Sequence, residues 1–104
     1  MPVPPSEVRS VARDALERRK EYGRGGTEVG VARARDIANG RNLSVETLQR
    51  MISFFARHGA SEDEVKARRD KTSAASIAWD LWGGTPGRRW AVKQMRKLRK
   101  SPKY

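Results

Sequence analysis

The 104-residue sequence contains no cysteine and only one histidine. Without cysteine there can be no disulfide, no thiol nucleophile and no cysteine-ligated zinc, so packing must stabilise the fold. With one histidine, neither a combination of nucleophile, base and orienting group nor a cluster of metal ligands can be assembled. We therefore predict a protein that is not an enzyme, with no catalytic residues, no metal and no cofactor.

Long apolar runs are also missing. No stretch approaches the roughly 20 apolar residues that a membrane span needs, and the start, MPVPPSEVRS, lacks the apolar segment of a signal peptide. These absences predict a soluble chain that is not secreted and has no membrane partner. A length of 104 residues is typical of one domain with one modest core.

Acidic residues are absent from the C-terminal end of the chain. The whole sequence has 23 Lys plus Arg against 12 Asp plus Glu, a net charge of +11. Residues 1–85 contribute +3, whereas residues 86–104 hold eight basic and no acidic side chains and contribute +8. Such a run is either a solvated helix face or a binding surface, where a polyanion relieves the repulsion between the basic side chains. We favour the interpretation that it binds a polyanion.

Apolar residues recur at the helical period in five stretches, and no segment sustains an alternation of period two. The spacing predicts an all-α fold, a compact single domain of about five short helices with a basic C-terminal helix. The predicted helices cover residues 6–22, 28–39, 44–58, 73–82 and 86–99. Residues 1–5 are expected to form an extended lead-in, 60–72 a polar connector and 100–104 a frayed basic tail.

Helix-capping residues mark most of these boundaries. Hydroxyl side chains able to accept from a first-turn amide precede each helix, namely Ser6, Thr27, Ser44, Ser73 and Thr85, the last followed by proline. Ser61 and Glu64 have the spacing of a capping box, so a short exposed helix is also possible in the connector. Gly23 and Asn39-Gly40 are typical helix stops.

The inner faces of the predicted helices define one core. Its expected members are Leu16, Ile37, Leu48, Met51, Ile52, Phe55, Ile77, Leu81 and Trp82. Trp79 is assigned to the edge of this face, where surface contact is an alternative to burial. His58 is explained by the helix dipole at the end of its helix. Arg50 and Arg57 lie two turns apart on one side of the same helix.

Eleven basic residues are candidates for nucleic-acid binding: Arg24, Arg33, Arg35, Arg41, Arg88, Arg89, Lys93, Arg96, Lys97, Arg99 and Lys100. The connector Arg24-Gly25-Gly26 is either an ordinary interhelix loop, the interpretation that we favour, or a bare backbone that approaches a phosphate. Arg33 and Arg35 lie about 200° apart around a helix, so they cannot serve one flat surface equally.

The run RGGTEVGVARARDIANGRNLSVETLQRMISFFARH, followed by AWDLWGGTPGRRWA, resembles a small basic domain encoded by many bacteriophages, found alone or joined to virion-assembly proteins. The resemblance covers roughly residues 4–91 and implies a phage origin and a helical fold. It implies no functional residues, because the activity of that family is unsettled, and the basic C-terminal run lies outside it.

The segment IANGRNLSVETLQRMISFF is also similar to the latter part of repressor-type helix-turn-helix domains. That likeness would place Arg33 and Arg35 on a recognition helix, although the expected positioning helix upstream is missing.

Two functions follow from these features. The first is a phage nucleic-acid-binding protein, with double-stranded DNA as the expected partner. The second is a virion or phage-host interaction component whose basic face meets an acidic protein surface. Either would act in the host cytoplasm or the virion, and the sequence leaves the oligomeric state open.

Overall fold

The computed structural model describes residues 2–100 and the side chains of residues 2–98. All the regular secondary structure in this part of the chain is helical. No strand occurs in this part, so the predicted all-α fold is confirmed. The helices are α1 (Ser6–Tyr22), α2 (Glu28–Ala38), α3 (Val45–Gly59), α4 (Glu62–Ala67), α5 (Ala74–Leu81) and α6 (Gly84–Lys100).

Local hydrogen bonds begin four of these helices as predicted. The hydroxyl groups of Thr27, Ser44, Ser61 and Ser73 each accept from the backbone amide three residues later. Gly23 ends α1 in the left-handed conformation, at φ 63°. These contacts span only three or four residues, so the order of residue types is sufficient to predict them.

Two predicted caps are wrong. Ser6 lies inside α1, because Pro5 occupies the cap position, where it makes no side-chain hydrogen bond. Thr85 lies inside α6, which begins at Gly84, and its hydroxyl accepts from the Trp79 indole Nε1 at 3.3 Å. The chain turns from α5 into α6 through Gly83 and Gly84, both at positive φ, so the helix begins before the predicted Thr85 cap.

The lead-in joins the core. The carbonyl of Pro2 accepts from the Leu43 amide at 2.8 Å, and Pro4 is buried. This contact fixes the chain on the turn before α3. Residues 2–5 have no regular secondary structure, and the contacts of Pro2 and Pro4 hold them against the fold.

The segment predicted as a polar connector contains α4 and is tied to its neighbours. The Glu64 carboxylate accepts from His58 Nδ1 at 3.1 Å instead of returning to the cap amide as a capping box would. The Arg68 guanidinium lies 3.8 Å from the centre of the Trp79 ring and donates to the His58 carbonyl. These contacts join the segment to α3 and to α5.

The end of this segment forms a tight polar turn. The backbone N–H and the hydroxyl of Thr72 both donate to Asp70 Oδ1, at 2.9 and 2.8 Å. These bonds favour the ionised carboxylate, so they lower the pKa of Asp70 below its usual value. The turn leads directly to Ser73 and α5.

One hydrophobic cluster forms the core. Seven of the nine predicted members are buried: Ile37, Leu48, Met51, Phe55, Ile77, Leu81 and Trp82. Leu16 and Ile52 are only half-buried and pack against the outside of the cluster. The sequence did not indicate burial of Phe54. Trp79, assigned to the edge of the inner face, is only 7% exposed, so it belongs to the core and the alternative of surface contact does not hold.

Helix α1 packs on α2, α5 and α6, whereas the main partner of α3 is α6. Trp82 lies between α2 and α3. A Cβ at Gly30 on α2 would approach the Trp82 indole to 3.3 Å, and Phe54 on α3 stacks on the same ring at 5.0 Å. The two helices are thus joined through a tryptophan.

A buried ion pair fastens α1 to α5. Arg18 Nη2 donates to Asp80 Oδ2 at 2.5 Å, and both side chains are 12% exposed. The same guanidinium donates to the carbonyl of Lys71 and to the Ser76 hydroxyl. Asp80 is therefore neutralised within the fold, and past it the sequence contains no acidic residue.

Candidate nucleic-acid interface

Helix α6 is amphipathic, with a buried stripe and a cationic outer face. Ala91 and Met95 are buried, which holds the helix on its neighbours. The opposite side exposes the basic side chains of Arg88, Arg89, Lys93, Arg96 and Lys97. The predicted exposed basic face is thus present on the described part of α6.

Four of these side chains form one stripe. Arg89, Lys93, Arg96 and Lys97 fall within about 100° of one another around the axis and span about 12 Å along it. Arg88 lies to one side. Duplex DNA presents about seven phosphates over the same 12 Å, at one per 1.7 Å of its axis. Over this length the stripe has fewer cations than the duplex has phosphates, so each cation has a phosphate available to contact.

Carboxylates scarcely neutralise this stripe. Arg89 Nη2 lies 3.8 Å from Glu7 Oε1, and both side chains are about two-thirds exposed. Exposed pairs of this kind contribute about 0–1 kcal/mol and are weakened by salt. In the part of the chain that the structure describes, no other basic side chain of α6 has a carboxylate within 4 Å. Their charge is available to a partner.

The last two candidates, Arg99 and Lys100, belong to α6, whose backbone runs to Lys100. Their side chains lie outside the described residues, as does the predicted frayed tail beyond Lys100.

The arginines around α2 are arranged differently. Arg33 Nη1 lies 3.2 Å from Asp36 Oδ2, and Arg41 Nε lies 3.8 Å from the other oxygen of the same carboxylate. Arg33 is only 24% exposed, and its Nε is buried without a hydrogen bond. Arg35 is exposed on a different side of α2. The structure therefore does not bring these arginines together as one surface.

The glycines of the Arg24 connector serve packing. A Cβ at Gly25 would lie 2.5 Å from Ile77 Cγ2, and one at Gly26 would lie 2.6 Å from Leu81 Cδ1. Arg24 itself donates from Nε to the Thr72 carbonyl at 2.9 Å. The bare backbone thus lets the loop approach α5, as the ordinary-loop interpretation predicts.

Gly25→Ala is expected to destabilise the fold by about 3 kcal/mol. The new methyl overlaps Ile77, which costs about 1–3 kcal/mol, and φ is 105°, which a side chain rarely adopts. Gly23→Ala is the matched control: its φ is also positive but nothing lies within 4 Å, so only about 1 kcal/mol is lost. Urea unfolding of both variants measures the difference, and equal losses would contradict the packing role.

Within the described part of the chain, no three His, Asp or Glu side chains converge as metal ligands. No helix in that part is long and apolar enough to cross a membrane. Two further basic residues, Arg50 and Arg57, have no role assigned from the sequence. Both line a groove between α3 and α5.

Comparison of the chain with protein-family models, curated proteins and solved structures found no match. The bacteriophage resemblance therefore stays a prediction.

Proposed function

We propose that this protein binds nucleic acid, with duplex DNA as the main partner, through phosphate contacts made by the outer face of α6. The observation that carries the proposal is the exposed stripe of Arg89, Lys93, Arg96 and Lys97, whose only nearby carboxylate in the described residues is Glu7. Cations placed against phosphates release condensed counterions, and this release supplies most of the affinity of sequence-independent binding.

The arrangement favours backbone contact over base recognition. Arg33, the candidate base reader on α2, is partly buried and paired with Asp36, whereas base readout needs a freely presented side chain. Trp79 and Trp82 are packed in the core cluster, so most of their surface is committed to the fold. We assign Arg24, Arg35 and Arg41 at most additional phosphate contacts.

A bacteriophage origin, with action in the host cytoplasm or the virion, is part of this proposal and is supported by the sequence resemblance alone. An acidic protein surface would be attracted by the same stripe, but a continuous row of like charges along one helix matches a regular polyanion better than a mixed protein surface.

Titration of labelled duplex and single-stranded DNA with the intact protein, at several salt concentrations, tests the proposal. If four phosphates are contacted, the log of the duplex affinity should fall against log salt with a slope of about −3.6, and of about −2.8 for a single strand. Absence of binding at low salt, where electrostatic attraction is strongest, would refute nucleic-acid binding and make an acidic protein the better partner.

A further inference from the structure

A groove of about 950 Å³ lies between α3 and α5. None of its lining residues belongs to α6. Phe54, Trp79 and Trp82 line its base, and Phe54 stacks on Trp82 with an interplanar angle of 15°. These aromatic groups are mostly buried, and each contributes to the lining of the groove. The base is therefore apolar and rigid.

The two walls of the groove are a long helix face and a row of small side chains. On α3 the lining residues run from Glu46 to Arg57, about three turns or 16 Å of helix. The α5 wall consists of the small residues Ala74, Ala75 and Ala78. An aromatic base beside a wall of alanines leaves room for the larger side chains of a partner at the i, i+3, i+4 and i+7 positions of a helix.

The rim of the groove is basic. Arg50 and Arg57 are exposed two turns apart on α3, and neither has a carboxylate within 4 Å among the described residues. The lining also holds Arg68 and two carboxylates, Glu46 and Glu64. Three arginines against two carboxylates leave the groove with a net positive charge, so a ligand should carry acidic groups.

We propose that this groove binds an amphipathic helix of another protein, with apolar anchors on one face and acidic residues beside them. Complementary charge selects against the wrong partner, because like charges facing each other cost several kcal/mol. The basic α6 of a second copy of this chain is therefore a poor occupant. The proposal is independent of DNA binding, since the groove and the α6 stripe share no residue.

The test uses synthetic helical peptides about 15 residues long, with leucines at i, i+3, i+4 and i+7 and glutamates on both flanks. A matched peptide carries lysines in place of the glutamates. Peptide anisotropy and the fluorescence of Trp79 and Trp82 report binding. We expect the acidic peptide to bind about tenfold more tightly than the basic one, with a change in tryptophan emission.

Two variants of the full chain locate the contact. Arg50→Glu with Arg57→Glu should weaken the acidic peptide about tenfold and strengthen the basic one. Arg35→Glu with Arg88→Glu makes the same change in net charge outside the groove, so it should leave both affinities nearly unchanged. Ser53→Trp, on an exposed position of α3, should fill the groove and weaken both peptides while the melting temperature is retained.

Failure of the acidic peptide to bind, or equal binding to the parent chain and to Ser53→Trp, would overturn the proposal. A third result would also overturn it: the parent chain binds no peptide, and the Arg50→Glu, Arg57→Glu variant loses DNA binding. The groove arginines would then belong to a nucleic-acid surface. Failure of DNA binding alone, with the peptide results as expected, would refute only the function proposed for α6.

Discussion

Replacing Arg89, Lys93, Arg96 and Lys97 with glutamine is expected to lower the affinity for duplex DNA about a thousandfold at ~0.1 M salt. Each cation that contacts a phosphate contributes about 0.9 to the slope of log affinity against log salt, so the four substitutions should flatten that slope by about 3 to 4. The difference between parent and variant should vanish near 1 M salt, where screening removes the electrostatic contribution.

Stability should scarcely change in this variant. The four side chains are exposed, and the single ion pair that is lost, Arg89 with Glu7, is itself exposed. Surface substitutions of this kind usually alter the free energy of unfolding by less than about 0.5 kcal/mol. Thermal melting followed by circular dichroism therefore separates a binding defect from a folding defect.

A second variant controls for net charge. Replacing Arg50, Arg57, Arg69 and Lys71 with glutamine removes the same number of charges from exposed positions outside α6. We expect this variant to flatten the salt slope by less than about 1. An equal effect in both variants would mean that the protein attracts DNA through its net charge of +11 and has no localised interface.

Most helix boundaries and the basic face of α6 were predictable because their causes are local. Ser44, for example, caps α3 through the amide of Thr47, and such a contact depends only on the order of nearby residues. The exposed cations of α6 follow from composition together with the helical period, since a buried stripe of Ala91 and Met95 leaves the charged positions outside.

Features that depend on distant residues were not predictable. Arg18 and Asp80 pair across 62 positions of sequence, and no periodicity indicates which arginine meets which acid. The contacts of Trp79 with the Arg68 guanidinium and with the Phe55 ring likewise join separate elements, so no local pattern indicates them. Gly25 could be understood as a packing residue only once Ile77 was placed beside it.

The groove is a further case. It exists because α3 and α5 are separated by aromatic side chains that occupy the base between them. The sequence places Arg50 and Arg57 on one side of α3, but the distance between two helices is set by what packs under both. Phe54 and Trp82, stacked there, supply that spacing.

Phe55→Ala is expected to lower the free energy of unfolding by about 3 to 5 kcal/mol, the range for deleting a buried aromatic side chain. Phe55 is 1% exposed and meets Trp79 edge to face, with ring centres 4.7 Å apart. Its removal loses both the transfer energy and the aromatic contact and leaves a cavity under the groove. For a domain of this size the melting temperature should fall by about 15 °C or more.

Ile52→Ala, on the same helix, is the control that tests the difference in burial. Ile52 was predicted to be as deep as Phe55 but is half-buried, so less apolar surface and a smaller cavity are involved, and a loss of about 1 to 2 kcal/mol is expected. Denaturant melts of the two variants measure the two losses. A loss below about 1 kcal/mol for Phe55→Ala, or equal losses for the two variants, would mean that α3 presents a different face to the core. Phe54 and Trp79 would then not line the groove as described.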